Sequence, residues 1–184
     1  NTNKILDRPN AQVHFSPFSY HYSPLSKFHL PDYPAILSGT CILNPETKGR
    51  VNISSKDPQR PPIIEHSLWA SEKDLSNMVK ALKKLSQIMS SKPISKYILN
   101  NPTSKLNDIQ IKDFIKSNSF LGYHASGTCC MGDKGVLNSN LKVKSIKNLR
   151  VIDASVMPKI IRGNTNATVI MIAEKGADYI LRKR

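Results

Sequence analysis

The sequence predicts an α+β fold: a mostly antiparallel sheet with helices on one face, followed by a closing strand–helix segment. Three observations predict it. Several short segments in the first half alternate apolar and polar residues, the period of a half-buried strand. Residues 71–92, SEKDLSNMVKALKKLSQIMSSK, repeat apolar residues at three- and four-residue spacing, the period of a helix. The chain then closes on a strand-like piece and a long apolar helical pattern. Its 184 residues, 39% hydrophobic and 22% charged, suit one globular domain or a domain plus a further segment.

Taken in order, AQVHF is a short strand. The prolines that follow, Pro17, Pro24, Pro31 and Pro34, make the rest of residues 1–40 irregular, with turns. ILSGTCIL and GRVNISS alternate, and NPETKG between them has turn chemistry, so they are expected to pair as an antiparallel hairpin. KDPQRPPIIEHS then leaves the sheet through three prolines. In the helix over 71–92, Ser71 and Asp74 have the spacing of a capping box, and Pro93 stops it. Leu75, Met78, Val79, Leu82, Leu85 and Met89 form one stripe, read as core. A second helix is expected over 108–117, with Asn107 as its N-cap. NLKVKSI and NLRVIDAS read as strands. Asn164 or Thr165 caps a last helix running to about Leu181.

The net charge of +14 comes from 27 Lys and Arg against 13 Asp and Glu. These cations are dispersed: along one side of 71–92, between apolar residues in LKVKSIKNLRV, and in the closing RKR. No aromatic residues interleave with them as base-stacking sites require, so they read as solvated surface and nucleic acid is not expected. A basic module for an anionic partner is the alternative that charge alone suggests. No apolar run is long enough for a membrane span. NTNKILDRPN has no apolar leader pattern, and a start at Asn1 suggests a processed product or a piece of a longer chain. Cys41, Cys129 and Cys130 form no CxxC and meet no matching histidine pair, so no metal site is expected and the cysteines read as packing. His14, His21 and His29 read as loop or surface histidines.

GYHASGTCCMG, residues 122–132, concentrates one histidine and three glycines. The glycines permit sharp turns or close approach to a bulky group. His124 is a proton acceptor whose orienting partner must come from elsewhere in the chain. NLRVIDASVMP followed by GNTNATVIMIAEKGADYI reads as strand, connector and helix start. A helix start presents unpaired N–H groups suited to negative charge.

At these residues the chain resembles the C-terminal part of the glucose-methanol-choline (GMC) family of FAD-dependent oxidoreductases. YHASGTCCMG is similar to the family's Tyr-His-x-x-Gly-Thr-Cys-x-Met-Gly segment. LRVIDASVMPKIIRGNTNATVIMIAEKGADYI resembles its closing segment, and GRVNISSKDPQRPPII is also similar. The likeness covers roughly residues 40–184 and is most like insect-type glucose dehydrogenases.

The resemblance implies oxidation of a CH–OH group of an alcohol or sugar, with hydride passing to flavin N5. It implies His124 as the base and Asn164 as a second catalytic side chain that holds the alcohol oxygen. It implies FAD contacts from Asp153 and Ala154 and from Thr165, Asn166, Ala167 and Thr168 at the helix start. Residues 1–135 would be the substrate side, and residues 136–184 would complete an FAD-binding domain. The sequence has no Gly-x-Gly spacing, so the dinucleotide-binding part is expected in a missing N-terminal portion, and this stretch alone is expected to be inactive. A non-catalytic piece lacking flavin is the runner-up. A secreted location is what the family likeness suggests; Asn52-Ile-Ser54 and Asn166-Ala-Thr168 match glycosylation triplets.

Overall fold

A computed structural model describes residues 2, 7–23 and 26–181, with the side chains of 21–29 outside the description. The expected turn at Pro24, the side chains of His21 and His29, and the closing RKR therefore lie outside the described residues. Two compact units share the chain: Asn1–Leu43 with Ser71–Asn118, and Asn44–Ala70 with Ser119–Arg184.

The first unit is built on an antiparallel ribbon and a helix. Strand β1 (Ala11–Ser16) pairs with β4 (Leu37–Ile42) in an unbroken register from Ala11↔Ile42 to Ser16↔Leu37. A second ribbon joins β2 (His21–Ser23) to β3 (Ser26–His29). Helix α1 (Glu72–Met89) lies against β4 and β1. Ser71 caps it, its hydroxyl accepting the Asp74 N–H at 3.3 Å. Leu75, Met78, Val79 and Leu85 of the stripe are buried, while Leu82 and Met89 are only half-buried and Ala81 takes a core position instead. A short helix α2 (Lys92–Ser95) follows, with Pro93 in its first turn. Helix α3 (Asp108–Asn118) adds Ile111 and Ile115 to the core. Asn107 and Gln110 cap it reciprocally, each side chain accepting the other's backbone N–H at 3.0 Å.

The second unit contains a third ribbon, β5 (Arg50–Asn52) with β6 (Ile63–Glu65). This overturns the expected hairpin of ILSGTCIL with GRVNISS. Two causes are visible. β4 finds a longer partner in β1, and the stretch 53–62 has its own turn chemistry. The Asp57 carboxylate accepts the Gln59 N–H at 3.0 Å, and Ser54 donates to the Pro61 carbonyl at 2.6 Å. IIE therefore returns as a strand instead of leaving the sheet. Gly49 allows the close entry: a Cβ there would stand 2.4 Å from the Glu65 carbonyl oxygen. Antiparallel pairing is thus as expected, but it is divided among three two-stranded ribbons.

NLKVKSI and NLRVIDAS do not form strands. They carry isolated bridges, Leu137–Val143 and Lys142–Arg150, in a compact knot of turns. Leu137, Leu141, Val156, Met157 and Ile172 form its core. Helix α4 (Asn166–Leu181) closes on it. Gly176 in mid-helix sits against Ile152, whose Cγ2 would be 2.4 Å from an added Cβ. An alanine there, though ~1 kcal/mol better in an open helix, would have to displace Ile152. Arg150 ties the knot further, donating to the Asn140 and Tyr179 carbonyls. No described helix is long and apolar enough to cross a membrane.

Candidate active site

The loop holding His124 is fixed by its backbone. The N–H groups of Gly127, Cys129 and Met131 donate to the carbonyls of Ala154, Ser155 and Val156, at 3.4, 3.0 and 3.0 Å. Those carbonyls belong to a short 3₁₀ turn over Ala154–Val156. Asp153 starts the turn: its carboxylate accepts the Ser155 N–H at 2.8 Å and the Ser155 hydroxyl. Gly127 has φ +89°, and a Cβ there would meet the Met157 carbonyl oxygen at 3.2 Å. Gly135 is tighter: a Cβ would fall 2.0 Å from the Cys130 carbonyl oxygen. The Lys144 ammonium clamps the same turn, donating to the Gly132 and Asp133 carbonyls.

His124 itself is exposed, and the residue before it, Tyr123, has φ +60°. A bulky residue rarely adopts this left-handed geometry, which costs roughly 1–2 kcal/mol. The ring Nδ1 of His124 lies 2.7 Å from the Thr165 hydroxyl. Thr165 is 6% exposed and starts α4, its carbonyl accepting the first helical N–H from Val169. A threonine at this position ordinarily turns its oxygen back onto the helix N–H groups. Here it is directed at the imidazole. The N–H groups of Asn166, Ala167 and Thr168 find no acceptor among the described residues.

The structure therefore brings His124, Gly127, Ala154 and Thr165 into one connected set. Asn164 is exposed and adjoins Thr165 in the chain. Asn166 and Ala167 are exposed at the first turn of α4, with Thr168 half-buried. The Asp153 and Ala154 N–H groups also lack an acceptor among the described residues. Sequence reasoning placed Thr165 at the helix start but did not see its hydroxyl as the partner of His124. Nothing local could show it, since the two are 41 residues apart.

The other titratable groups are separate. Cys129 packs against the core of the second unit, and Cys130 gives its carbonyl to the Leu137 N–H. In the first unit Cys41 Sγ lies 3.6 Å from His14 Nε2. Burial pushes that thiol up, partly offset by a backbone hydrogen bond from Gln12, which disfavours the thiolate. Among the described residues, no three His, Cys, Asp or Glu side chains gather as metal ligands would.

Solved structures of several oxidases share this architecture. Pyridoxine 4-oxidase from Mesorbium loti superposes with a TM-score of 0.81 and 25% identity, over 96% of this chain and 35% of that one. Aspergillus oryzae formate oxidase, studied for modification of its FAD, shares the fold at a TM-score of 0.76 and 24% identity, over 97% of this chain and 32% of its own. The model of the GMC oxidoreductase family matches residues 45–173, and the chain belongs to that family.

An alcohol dehydrogenase [acceptor] of Pseudomonas putida is 35% identical across 96% of this chain and 32% of its own length. An oxygen-dependent choline dehydrogenase of Yersinia pseudotuberculosis is 33% identical across 94% and 31%. The chain thus spans about a third of the curated relatives it matches.

Proposed function

We propose that this chain is the C-terminal part of an FAD-dependent oxidoreductase that oxidises a CH–OH group of an alcohol or sugar, in the manner of an insect-type glucose dehydrogenase. In the longer protein, residues 1–135 lie on the substrate side and residues 136–184 complete the FAD-binding domain. The observation that carries the reading is the His124–Thr165 pair at the uncapped start of α4 in a GMC family chain.

The residues present fit FAD in kind. The N–H groups of Asp153 and Ala154, and of Asn166, Ala167 and Thr168, offer donors without acceptors among the described residues. Gly127 keeps a backbone path open where a side chain would crowd Met157. Bound FAD supplies the two-electron acceptor for the alcohol's C–H bond. His124, exposed at the loop tip, takes the hydroxyl proton. Asn164 cannot accept a proton near neutral pH, so it donates from its amide to the alcohol oxygen. The positive end of α4 favours negative charge at its start.

Rapid-mixing kinetics of flavin reduction in the longer protein test this. His124→Ala is expected to slow reduction about 10²- to 10⁴-fold with FAD retained, the range of a positioned acid–base group. Asn164→Ala loses a charge-assisted hydrogen bond, roughly 10- to 150-fold. Cys129→Ser and Cys130→Ser keep near-normal rates. A His124→Ala protein that reduces flavin normally would overturn the reading.

A further inference from the structure

We infer that the Asp153 side chain is a positioning residue for the His124 loop, acting through the 3₁₀ turn that carries the loop's anchor points. The inference rests on the proposed base role of His124 only for its effect on flavin reduction. The anchoring itself stands on hydrogen bonds whose donors are fixed by their chemistry.

Among the described residues, Gly127 is the first after His124 whose backbone N–H is held by another backbone group. From there every second N–H is anchored, at Gly127, Cys129 and Met131. The three acceptors are consecutive carbonyls of one turn, those of Ala154, Ser155 and Val156. The path of the loop beyond His124 therefore follows the conformation of that turn.

The turn is held by different means at its two ends. Val156 and Met157 are buried in the core of the unit, so packing fixes the Val156 carbonyl. Asp153, at the other end, is exposed. Its carboxylate supplies the hold there, accepting the Ser155 N–H at 2.8 Å and the Ser155 hydroxyl. A carboxylate oxygen can only accept, so the direction of both bonds is set. An aspartate bonded two residues on closes a side-chain turn over the residue between, here Ala154. The carbonyls it steadies, those of Ala154 and Ser155, hold Gly127 and Cys129. The Ala154 carbonyl is also shared, accepting the Met157 N–H at 3.3 Å and the Gly127 N–H at 3.4 Å. The anchor nearest His124 is thus the longest of the three and depends on Asp153, while the anchor at Met131 depends on the core.

The test uses the longer protein with FAD bound, read by hydrogen exchange at single amides and by rapid-mixing flavin reduction. Asp153→Ala is expected to speed exchange at Gly127 and Cys129 roughly 3- to 30-fold, the range of a lost capping side chain. Exchange at Met131 and in α4, and the flavin absorbance, stay as in wild type. The limiting rate of flavin reduction falls over the same range. Asp153→Asn keeps an oxygen that can accept both bonds, and recovers most of the exchange protection and the rate. Equal acceleration at Gly127, Cys129 and Met131 overturns the inference, as does an asparagine variant that behaves like alanine. Where Asp153→Ala gives no holoenzyme, Ser155→Ala carries the test. It removes one of the two bonds, and unchanged exchange at Gly127 and Cys129 overturns the inference. If His124→Ala leaves flavin reduction fast while Asp153→Ala still frees Gly127 and Cys129, the anchoring stands and the proposed base role falls.

Discussion

Leu75 and Leu137 are buried to the same degree, 2% and 0% exposed, by different means. Leu75 belongs to an amphipathic helix, and its neighbours in the core stand three and four residues along the chain. Leu137 sits in a knot of turns, its N–H bonded to the Cys130 carbonyl and its carbonyl to the Gly132 N–H. The first unit is specified by side-chain pattern and helix caps. The second is specified by where the backbone can pass. Such a region tolerates little change at its glycines, because the space a side chain would need is filled by main-chain atoms.

That contrast can be broken by mutation of the longer protein, read by hydrogen exchange on peptides from each unit. The largest effect is expected from Gly135→Ala, whose new methyl would overlap the Cys130 carbonyl. A loss of about 4–5 kcal/mol, at the extreme of single substitutions, should strip protection from 119–181. Equal loss in α1 and α3 would show that the two units do not differ as argued. Leu75→Ala should cost roughly 2–4 kcal/mol through an empty core volume, with the loss concentrated in α1 and α3. The smallest effect is expected from Asn107→Ala. It removes one half of the α3 cap and should cost about 1 kcal/mol, seen as faster exchange in the first turn of α3 alone.

Legibility in the sequence follows the same contrast. The α1 stripe, its Ser71 cap, and the Asn107 start of α3 were readable, because each depends on residues within one or two turns. The start of α4 was readable too. The β1–β4 pairing was not: β1 is separated from β4 by a proline-rich stretch, and alternation says which residues could be strands but not which strands meet. LKVKSI alternates like a strand yet has only isolated bridges, because turns at Leu141 and Asn148, both with φ near +60°, break its direction. At the site, the sharp turns of the histidine loop could be read from its glycines. The Thr165 hydroxyl could not, since a threonine before a helix looks like an ordinary cap.

The way the chain threads its two units bears on the order in which they can form during synthesis. Once Asn118 has emerged, every strand and helix of the first unit is available. The second must wait for α4, which ends at Leu181. Residues 44–70 belong to that later unit but are made early. Until residues 119–181 are made, β5 and β6 lack the rest of their unit, and Val51, Ile53 and Ile64 stay exposed even in the folded unit. Such a waiting ribbon, with open edges and apolar side chains, is what chaperones bind and what pairs wrongly with neighbours. The prolines and charged residues of KDPQRPP, between its strands, are well suited to keeping that interval safe.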